Sequence, residues 1–417
     1  MQSNEKRLAK NTIYLYLMQI SGYIFPLLTF PYLTRVLGAE KYGVVVFSNA
    51  VMQYFTLFIE FGFLLSATNL CSQFRHDRKR LGNITFGVMY AKIFLALASG
   101  IVLIVLCVFL PAFKTHFLFF FLSYIGVFLT IFLPDFLFRG IEEMSVLTYR
   151  VIFSKLVYTI IIFVFIHKPQ DYIFVPLATV GANSIAIVLT WINLLKKKYI
   201  VFVKIGLRDI FVYIKEASLF FLSRISISIF SSLNIVLLGT KFSSNELGYF
   251  GVANTLCQTV KGFMSPIGDS IYPYMIKNKN FKMIRTLILI LEPLIIIACI
   301  CMYFMAPWII KLTCGEGYEK SIPVFRIMLV YIALGLPNTL LGYPVLGALG
   351  KIEIANASII YASLFHLIGL CILYFLEYMN FITVAMLSCI TEAIILMIRF
   401  CYVVFTKKRE SYEKNYF

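Results

Sequence analysis

The sequence has few charged residues and no motif of paired cysteines. Only 14% of its 417 residues are Asp, Glu, Lys or Arg, whereas about one quarter of the residues in soluble domains are charged. Its nine cysteines form no Cys-x-x-Cys pair, and its four histidines are isolated from one another. These absences argue against a soluble globular protein, a disulfide framework and a Cys/His metal site.

Sequence features that enzymes need are also lacking. No Gly-Lys-Ser/Thr loop is present, so we expect no built-in ATPase. All connections between apolar runs are short, which leaves no extramembrane domain for a glycosyltransferase or polymerase site. The adjacent acids Glu142 and Glu143 lie in one such loop beside Arg139 and are interpreted as a solvated helix end. We therefore predict a protein that is not an enzyme and has no cofactor.

Long apolar runs dominate the sequence. Hydrophobic residues make up 60% of the chain and the mean hydropathy is +0.88. Runs of roughly 20 apolar residues match the thickness of a bilayer core, and continuous apolar runs indicate helices. The fold class predicted is an all-α polytopic membrane protein. Twelve transmembrane helices are predicted, over residues 11–36, 43–70, 84–110, 116–138, 146–166, 172–195, 212–238, 246–274, 286–310, 322–348, 353–376 and 381–405.

The distribution of basic residues predicts domains and orientation. The longest connection divides the spans into two sets of six, so we predict an N-terminal six-helix bundle over 1–198, a basic cytoplasmic linker over 199–211 and a C-terminal six-helix bundle over 212–417. The face with both termini carries 24 Lys and Arg residues and the other face 7, so both termini should be cytoplasmic. The excess of cations lies in these short loops, which argues against nucleic acid as a partner. Residues 1–10 show no small-residue cleavage site, and we expect them to be retained.

Two matching polar stripes are the most specific feature. Positions i, i+4, i+7 and i+11 share one face of a helix. In the second span these positions are Asn49, Gln53, Thr56 and Glu60. At an offset of 205 residues the corresponding positions are Asn254, Gln258, Lys261 and Ser265. We predict that the two halves are pseudo-symmetric parallel repeats, each presenting a polar face.

The six cations not assigned to either face lie within the predicted spans: Lys92, Lys155, Arg224, Lys261, Arg326 and Arg399. A charge at mid-bilayer costs at least about 2.5–3.5 kcal/mol, so it normally faces a partner or a hydrated cavity. Arg326 and Arg399 lie near their span ends and are predicted to snorkel. Lys92, about a third of the way into its span, is ambiguous.

The three deep cations, Lys155, Arg224 and Lys261, have two interpretations. They are predicted to line a hydrated, substrate-binding cavity together with Asn49, Gln53, Asn254 and Gln258. The alternative is intramembrane ion pairing, with Glu60, Glu292, Glu392 or Asp135 as partners. Glu60 is either a coupling-ion site or a counter-ion for Lys261. His366, in the eleventh span, is interpreted as a packed histidine or as a proton relay.

The opening segments resemble those of a known transporter family. The matching stretches are Asn11 to Gln19 (NTIYLYLMQ), Pro26 to Gly43, Glu60 to Phe63, Ser66 to Thr68, Arg75 to Arg78, and Leu237-Leu-Gly239 to Gly248-Tyr-Phe. They resemble Wzx-type O-antigen flippases, in the polysaccharide-transporter branch of the MATE-like (MOP) exporters. The first two spans carry the specific part, and the last third matches mainly in hydropathy.

This resemblance implies a fold and a function. The fold would be two six-helix bundles around a central, often cationic cavity. The function would be to flip undecaprenyl-pyrophosphate-linked oligosaccharide repeat units from the cytoplasmic to the periplasmic leaflet of the bacterial inner membrane. Partners would be the lipid-linked oligosaccharide, membrane lipid, and the polymerase and chain-length regulator of the same pathway. The alternative is a MATE-type ion-coupled exporter of small amphipathic molecules, although organic cations would favour acidic rather than basic mid-membrane residues.

Overall fold

The computed structural model describes the backbone of residues 2–415 and the side chains of residues 11–218, 220–221 and 232–406. Regular structure in these residues is helical throughout, as the apolar runs predict. Three short helices, Thr130–Phe132 and Pro169–Ile173 of 3₁₀ type and Leu341–Leu346 of π type, join longer ones. The α-helices are α1 Gln2–Glu60, α2 Phe63–Gln73, α3 Arg78–Phe109, α4 Pro111–Lys114, α5 Phe117–Leu129, α6 Asp135–Gly140, α7 Met144–Phe165, α8 Phe174–Lys196, α9 Leu207–Lys241, α10 Ser244–Gly262, α11 Ser265–Asn278, α12 Phe281–Cys314, α13 Ser321–Ala333, α14 Gly335–Leu340, α15 Ile352–Phe375 and α16 Phe381–Asn415.

Nine stretches of the described residues are long and apolar enough to cross a membrane. One of them, Asn11–Gln73, has 63 residues and contains two of the predicted spans. The other eight correspond to the third to sixth and ninth to twelfth predicted spans. The predicted spans 212–238 and 246–274 lie on α9 and on α10 with α11, which are helical but richer in polar residues. The protein is therefore a multi-pass helical membrane protein.

The backbone packs as two compact units. Unit 1 comprises Met1–Ser228 and Ile235–Asn245, and unit 2 comprises Ile229–Asn234 and Glu246–Phe417. Most of α9 thus packs with unit 1, while α10 to α16 form unit 2. The boundaries of the two bundles and of the basic linker remain predictions.

In unit 1, α1 bends at Gly38, between its two predicted spans. Gly38 has φ 67° and ψ 173°, a conformation open to glycine and unfavourable for other residues. The helix continues through Pro26 and Pro31 without such a break. The first arm of α1 runs parallel to α7: Thr148 donates a hydrogen bond to the Tyr14 carbonyl, and Tyr32 donates one to the Ile166 carbonyl, with the same separation of 134 residues.

A second break separates α1 from α2, immediately after the polar stripe. Phe61 has φ 40° and Gly62 has φ 81°. A Cβ on Gly62 would lie 2.7 Å from the Phe220 Cβ and 2.9 Å from the Ala217 carbonyl oxygen of α9, so only glycine permits this approach. The α2 helix then packs on α3 and α6 around buried Phe63, Phe136 and Phe138. The end of the polar stripe is held in a rigid core.

Unit 2 contains a similar break, between α10 and α11. Gly262 ends α10 and Ser265 begins α11, with Pro266 in its first turn. Further along, the π-helix Leu341–Leu346 interrupts the predicted tenth span and contains Pro344. Such irregular backbone in a membrane is tolerated where protein or water satisfies its polar groups. The helices α12, α13, α15 and α16 pack around these interrupted segments.

Candidate functional site: polar clusters in the two units

The first predicted stripe forms a polar face on α1. Asn49 and Gln53 are exposed, and Glu60 is half-buried, with 24% of its side chain exposed. Phe55 and Ile59, on other faces of the helix, are buried in unit 1. The spacing therefore separates an accessible polar face from a packed apolar face, as amphipathic periodicity requires.

The predicted coupling residue Glu60 is ion-paired with Lys92. Lys92 Nζ lies 2.7 Å from Glu60 Oε1, and the Lys92 side chain is only 1% exposed. The ammonium also lies 5.7 Å from the centroid of the Phe136 ring. A carboxylate at the C-terminal end of a helix is disfavoured by the helix dipole, and the Lys92 cation offsets this. The ambiguous cation of the third span is thus the partner of Glu60.

A second ion pair in unit 1 joins α6 to α7. Arg150 donates to both carboxylate oxygens of Asp135, at 2.5 and 2.9 Å. The Arg150 side chain is buried, and this fork-to-fork geometry is the strongest form of such a pair. Asp135 therefore neutralises Arg150 and is not the partner of a deep lysine.

Lys155, which was predicted to bind substrate, lies near the middle of α7 and is half-buried. It makes no hydrogen bond or ion pair with any of the side chains that the structure describes. It shares a helix face with Thr148, seven residues earlier, which donates to the Tyr14 carbonyl of α1. Among the side chains that the structure describes, the half-buried Lys155 cation is therefore without a counter-ion.

The second stripe centres on Lys261 of α10. Lys261 Nζ lies 2.8 Å from Glu392 Oε2 and 3.8 Å from the centroid of the Tyr331 ring. The Tyr331 hydroxyl donates to Gln258 Oε1 at 3.3 Å. Gln258 is exposed, whereas Asn254 is half-buried. Of the three predicted cavity residues on α10, Lys261 thus forms an ion pair with a cation–π contact, and Gln258 is joined to it through Tyr331.

Glu392 belongs to a buried network. Asn338 Nδ2 donates to Glu392 Oε1 at 2.8 Å, and the Asn338 carbonyl accepts a hydrogen bond from Arg399 at 2.6 Å. Arg399 also donates to Ser358 Oγ at 2.9 Å and to the Ala355 carbonyl at 3.2 Å. The prediction that Arg399 snorkels is wrong, because backbone carbonyls exposed beside the π-helix satisfy its guanidinium inside the protein.

Two further polar groups complete the description of unit 2. His366 is fully buried, with Nε2 2.8 Å from Asn234 Oδ1 and Nδ1 2.8 Å from Thr391 Oγ1. Asn234 Oδ1 only accepts hydrogen bonds, so His366 Nε2–H is the donor in that contact, and the ring is held inside the protein as expected of a packed histidine. Glu292 Oε2 on α12 is buried without a hydrogen-bond partner in the described part of the chain. Arg224, the remaining predicted binding residue, lies outside the side chains that the structure describes.

Sequence reasoning missed two members of the unit 2 cluster, Asn338 and Tyr331. They lie outside the helix stripes and are 77 and 70 positions after Lys261. Their amide and phenol hold the carboxylate and the ammonium of the Lys261–Glu392 pair. The only signal was that Asn338 follows Pro337 inside an apolar span, where a break exposes backbone carbonyls.

Thiol labelling tests whether the stripes face water. In a variant without native cysteines, Gln53→Cys and Gln258→Cys should react with a water-soluble maleimide in intact membranes. Phe55→Cys and Ala253→Cys are the matched controls, because both side chains are buried beside the stripes. We expect at least tenfold faster labelling of the stripe positions; equal rates at all four positions would contradict an aqueous polar face.

The polytopic helical fold, with charged and amide side chains clustered on interrupted spans, is shared with solved MATE-like proteins. In solved structures, an inward-facing multidrug resistance MATE family transporter of the MOP superfamily aligns with TM-score 0.70 and 15% identity, covering 95% of this chain and 99% of its own. The lipid II flippase MurJ, in an inward closed conformation, aligns with TM-score 0.69 and 15% identity, covering 96% and 87%. These likenesses establish the shared fold.

Sequence comparison identifies the family. Residues 8–279 match the family described as "Polysaccharide biosynthesis protein", and the chain belongs to it. A putative O-antigen transporter of Escherichia coli (strain K12) is 28% identical over 79% of this chain and 80% of its own length. One of Shigella dysenteriae is 26% identical over 86% of this chain and 91% of its own length. The resemblance to Wzx-type flippases is confirmed.

Proposed function

We propose that the chain flips undecaprenyl-pyrophosphate-linked O-antigen oligosaccharide repeat units from the cytoplasmic to the periplasmic leaflet of the inner membrane. The observation that carries the proposal is the similarity to two putative O-antigen transporters along most of the chain, within the polysaccharide biosynthesis family. The MurJ-like fold is compatible with a lipid-linked substrate.

The proposed mechanism is alternating access by two six-helix bundles, over residues 1–198 and 212–417, around a central cavity. The proposed number of transmembrane helices is twelve. This number counts the polar helix α9 as one span, and α10 together with α11 as another. Both termini lie in the cytoplasm, because the face with the termini carries 24 cations against 7. The polymerase and chain-length regulator of the pathway are the proposed protein partners.

The charged side chains suit the chemistry of this substrate. A diphosphate and sugars cannot cross hydrocarbon, whereas a polyprenyl tail is soluble in it. Lys155 is available as an uncompensated cation, and Lys261 can exchange its contact with Glu392 for a phosphate oxygen. Asn49, Gln53, Asn254 and Gln258 offer amides to sugar hydroxyls. Arg224 is proposed as a third cation for the diphosphate, and Glu60 as the coupling or counter-ion residue through its pair with Lys92.

Genetic complementation tests this function. In a bacterium that lacks its own O-antigen flippase but makes the matching repeat unit, expression of the chain should restore surface polysaccharide. Lys155→Ala should reduce it at least tenfold at equal membrane protein level, while Lys168→Ala, an exposed cation beyond the end of the same helix, should not. A MATE-type exporter of small amphipathic molecules is the second candidate, since the MATE fold is shared. Restored resistance to cationic dyes without polysaccharide would favour it.

A further inference from the structure

A groove in unit 1 lies between the adjacent ends of α7 and α8, apart from the polar stripes. Its volume is about 580 Å³. Three exposed apolar side chains line one end of the groove. Phe153, Leu156 and Leu189 are 45%, 41% and 39% exposed. Their exposure within a membrane-spanning hairpin indicates that this end of the groove is open to lipid.

The other end of the groove is polar and basic. Ser145, Arg150, Asn193 and Lys197 line it. Arg150 is fixed by its two hydrogen bonds to Asp135. Lys197 is 47% exposed, and its contact with Glu143 is long, at 3.6 Å. Lys196 and Lys198 flank this end and are exposed. Both charged residues that line the groove are therefore cations: Arg150 is paired with Asp135, and Lys197, which is 47% exposed, is the one that can turn toward a ligand.

The polar and apolar ends are spaced for a lipid. From Ser145 to Leu156, α7 rises roughly 16 Å at about 1.5 Å per residue. A lipid with its head group at the level of Ser145 would therefore reach about the middle of one leaflet at the level of Leu156. Basic pockets between transmembrane helices bind anionic head groups in this way. The change from a basic end to an apolar end along the groove suits a molecule with one anionic end and one hydrocarbon end.

Asn193 adds a specific requirement. Its Oδ1 atom is buried and has no hydrogen-bond partner in the described residues. An amide oxygen only accepts hydrogen bonds, and leaving such an atom unsatisfied costs about 1–3 kcal/mol. A phosphodiester cannot donate to it, whereas a head-group hydroxyl can. The interaction of Lys197 with the Tyr199 hydroxyl raises the pKa of Lys197, so the ammonium is charged at neutral pH.

We propose that the α7–α8 groove binds an anionic glycerophospholipid with a hydroxylated head group, of which phosphatidylglycerol is the simplest. Lys197 contacts the phosphate, the neutral Arg150–Asp135 pair lies behind it, and Asn193 accepts a hydrogen bond from the head-group hydroxyl. The acyl chain lies along Phe153, Leu156 and Leu189. This lipid is a resident of the scaffold, and its binding does not depend on which substrate the protein carries.

Native mass spectrometry of the purified full-length protein tests the proposal. With palmitoyl-oleoyl chains in both lipids, we expect one phosphatidylglycerol to bind roughly tenfold more tightly than phosphatidylcholine, which corresponds to about 1.4 kcal/mol. Asn193→Leu with Lys197→Ala should remove this preference. Lys196→Ala is the matched control: it deletes the same charge one residue away, outside the groove, and should leave the preference unchanged.

Lys197→Glu on its own keeps the test valid if the double variant is unstable, since this exposed side chain contributes little packing; it too should abolish the preference. Equal loss in Lys196→Ala would contradict the groove as the site. So would tighter binding of undecaprenyl phosphate, which lacks the hydroxyl. A dimer that dissociates in the double variant, with no lipid preference in the wild type, would identify the groove as an interface between copies and overturn the proposal.

Discussion

Replacing Lys261 with alanine is expected to abolish export of surface polysaccharide, with a loss of at least 100-fold at equal membrane protein level. The ammonium lies over the Tyr331 ring and beside Glu392, on the face that also presents Gln258. In the proposed function it neutralises part of the diphosphate. Lys261→Arg should retain much of the activity, although the guanidinium fork differs in geometry from an ammonium. The measurement is surface polysaccharide, normalised to protein in the membrane.

The matched controls separate substrate binding from structural ion pairing. Removing one member of a buried pair strands its partner, at about 3–5 kcal/mol, whereas replacing both is often tolerated. Glu392→Gln keeps an acceptor for Asn338 and leaves Lys261 free, so export should persist. Lys261→Ala with Glu392→Gln removes both members of the pair and leaves Arg399 on its three neutral acceptors, so the protein should fold and still fail to export. Recovery of export in that double variant would show that Lys261 acts only in packing.

The Glu60–Lys92 pair is expected to have the largest effect on stability, and the effect should be asymmetric. Glu60→Ala leaves Lys92, which is 1% exposed and lies beside the Phe136 ring, without its counter-ion. Lys92→Met leaves Glu60, whose side chain is 24% exposed and can reach water. Glu60→Ala should therefore lower the free energy of unfolding by about 3–5 kcal/mol. Lys92→Met should lower it clearly less. The thermal unfolding midpoints of the two purified variants, measured in the same detergent, show which of them is less stable.

The double variant Glu60→Ala with Lys92→Met completes this cycle. It should be more stable than Glu60→Ala alone, because neither charge of the pair is left without its partner. A variant of the exposed pair Lys41–Glu40, Glu40→Ala, should change the midpoint little, since exposed pairs contribute about 0–1 kcal/mol. Equal losses in both single variants would contradict the asymmetry in burial on which the prediction depends.

Apolar run length and helix periodicity predicted much of the fold. The bend of α1 lies at Gly38, between the predicted spans 11–36 and 43–70. Asn49 and Gln53 are accessible and Phe55 is buried, as the spacing of the stripe requires. These features depend on neighbours within a few turns, which a single sequence displays directly.

Partners across helices could not be predicted in the same way. Lys261 and Glu392 are 131 positions apart, and four acids were equally compatible with a deep lysine by depth alone. Arg399 was placed correctly near a span end, but its three acceptors exist only because α15 and the segment before the π-helix pack beside it. Helix rotation and tertiary packing decide such contacts, and hydropathy reports neither.

Transport by the purified protein in liposomes tests whether the chain flips a lipid-linked oligosaccharide and whether Lys261 is needed for it. A labelled undecaprenyl-diphosphate oligosaccharide is placed in the inner leaflet, and its arrival outside is followed with an impermeant glycosidase. Translocation is expected for the wild type and for Glu392→Gln, and none above protein-free liposomes for Lys261→Ala with Glu392→Gln. Wild-type rates in that double variant, or no translocation by a folded wild-type protein, would contradict this expectation.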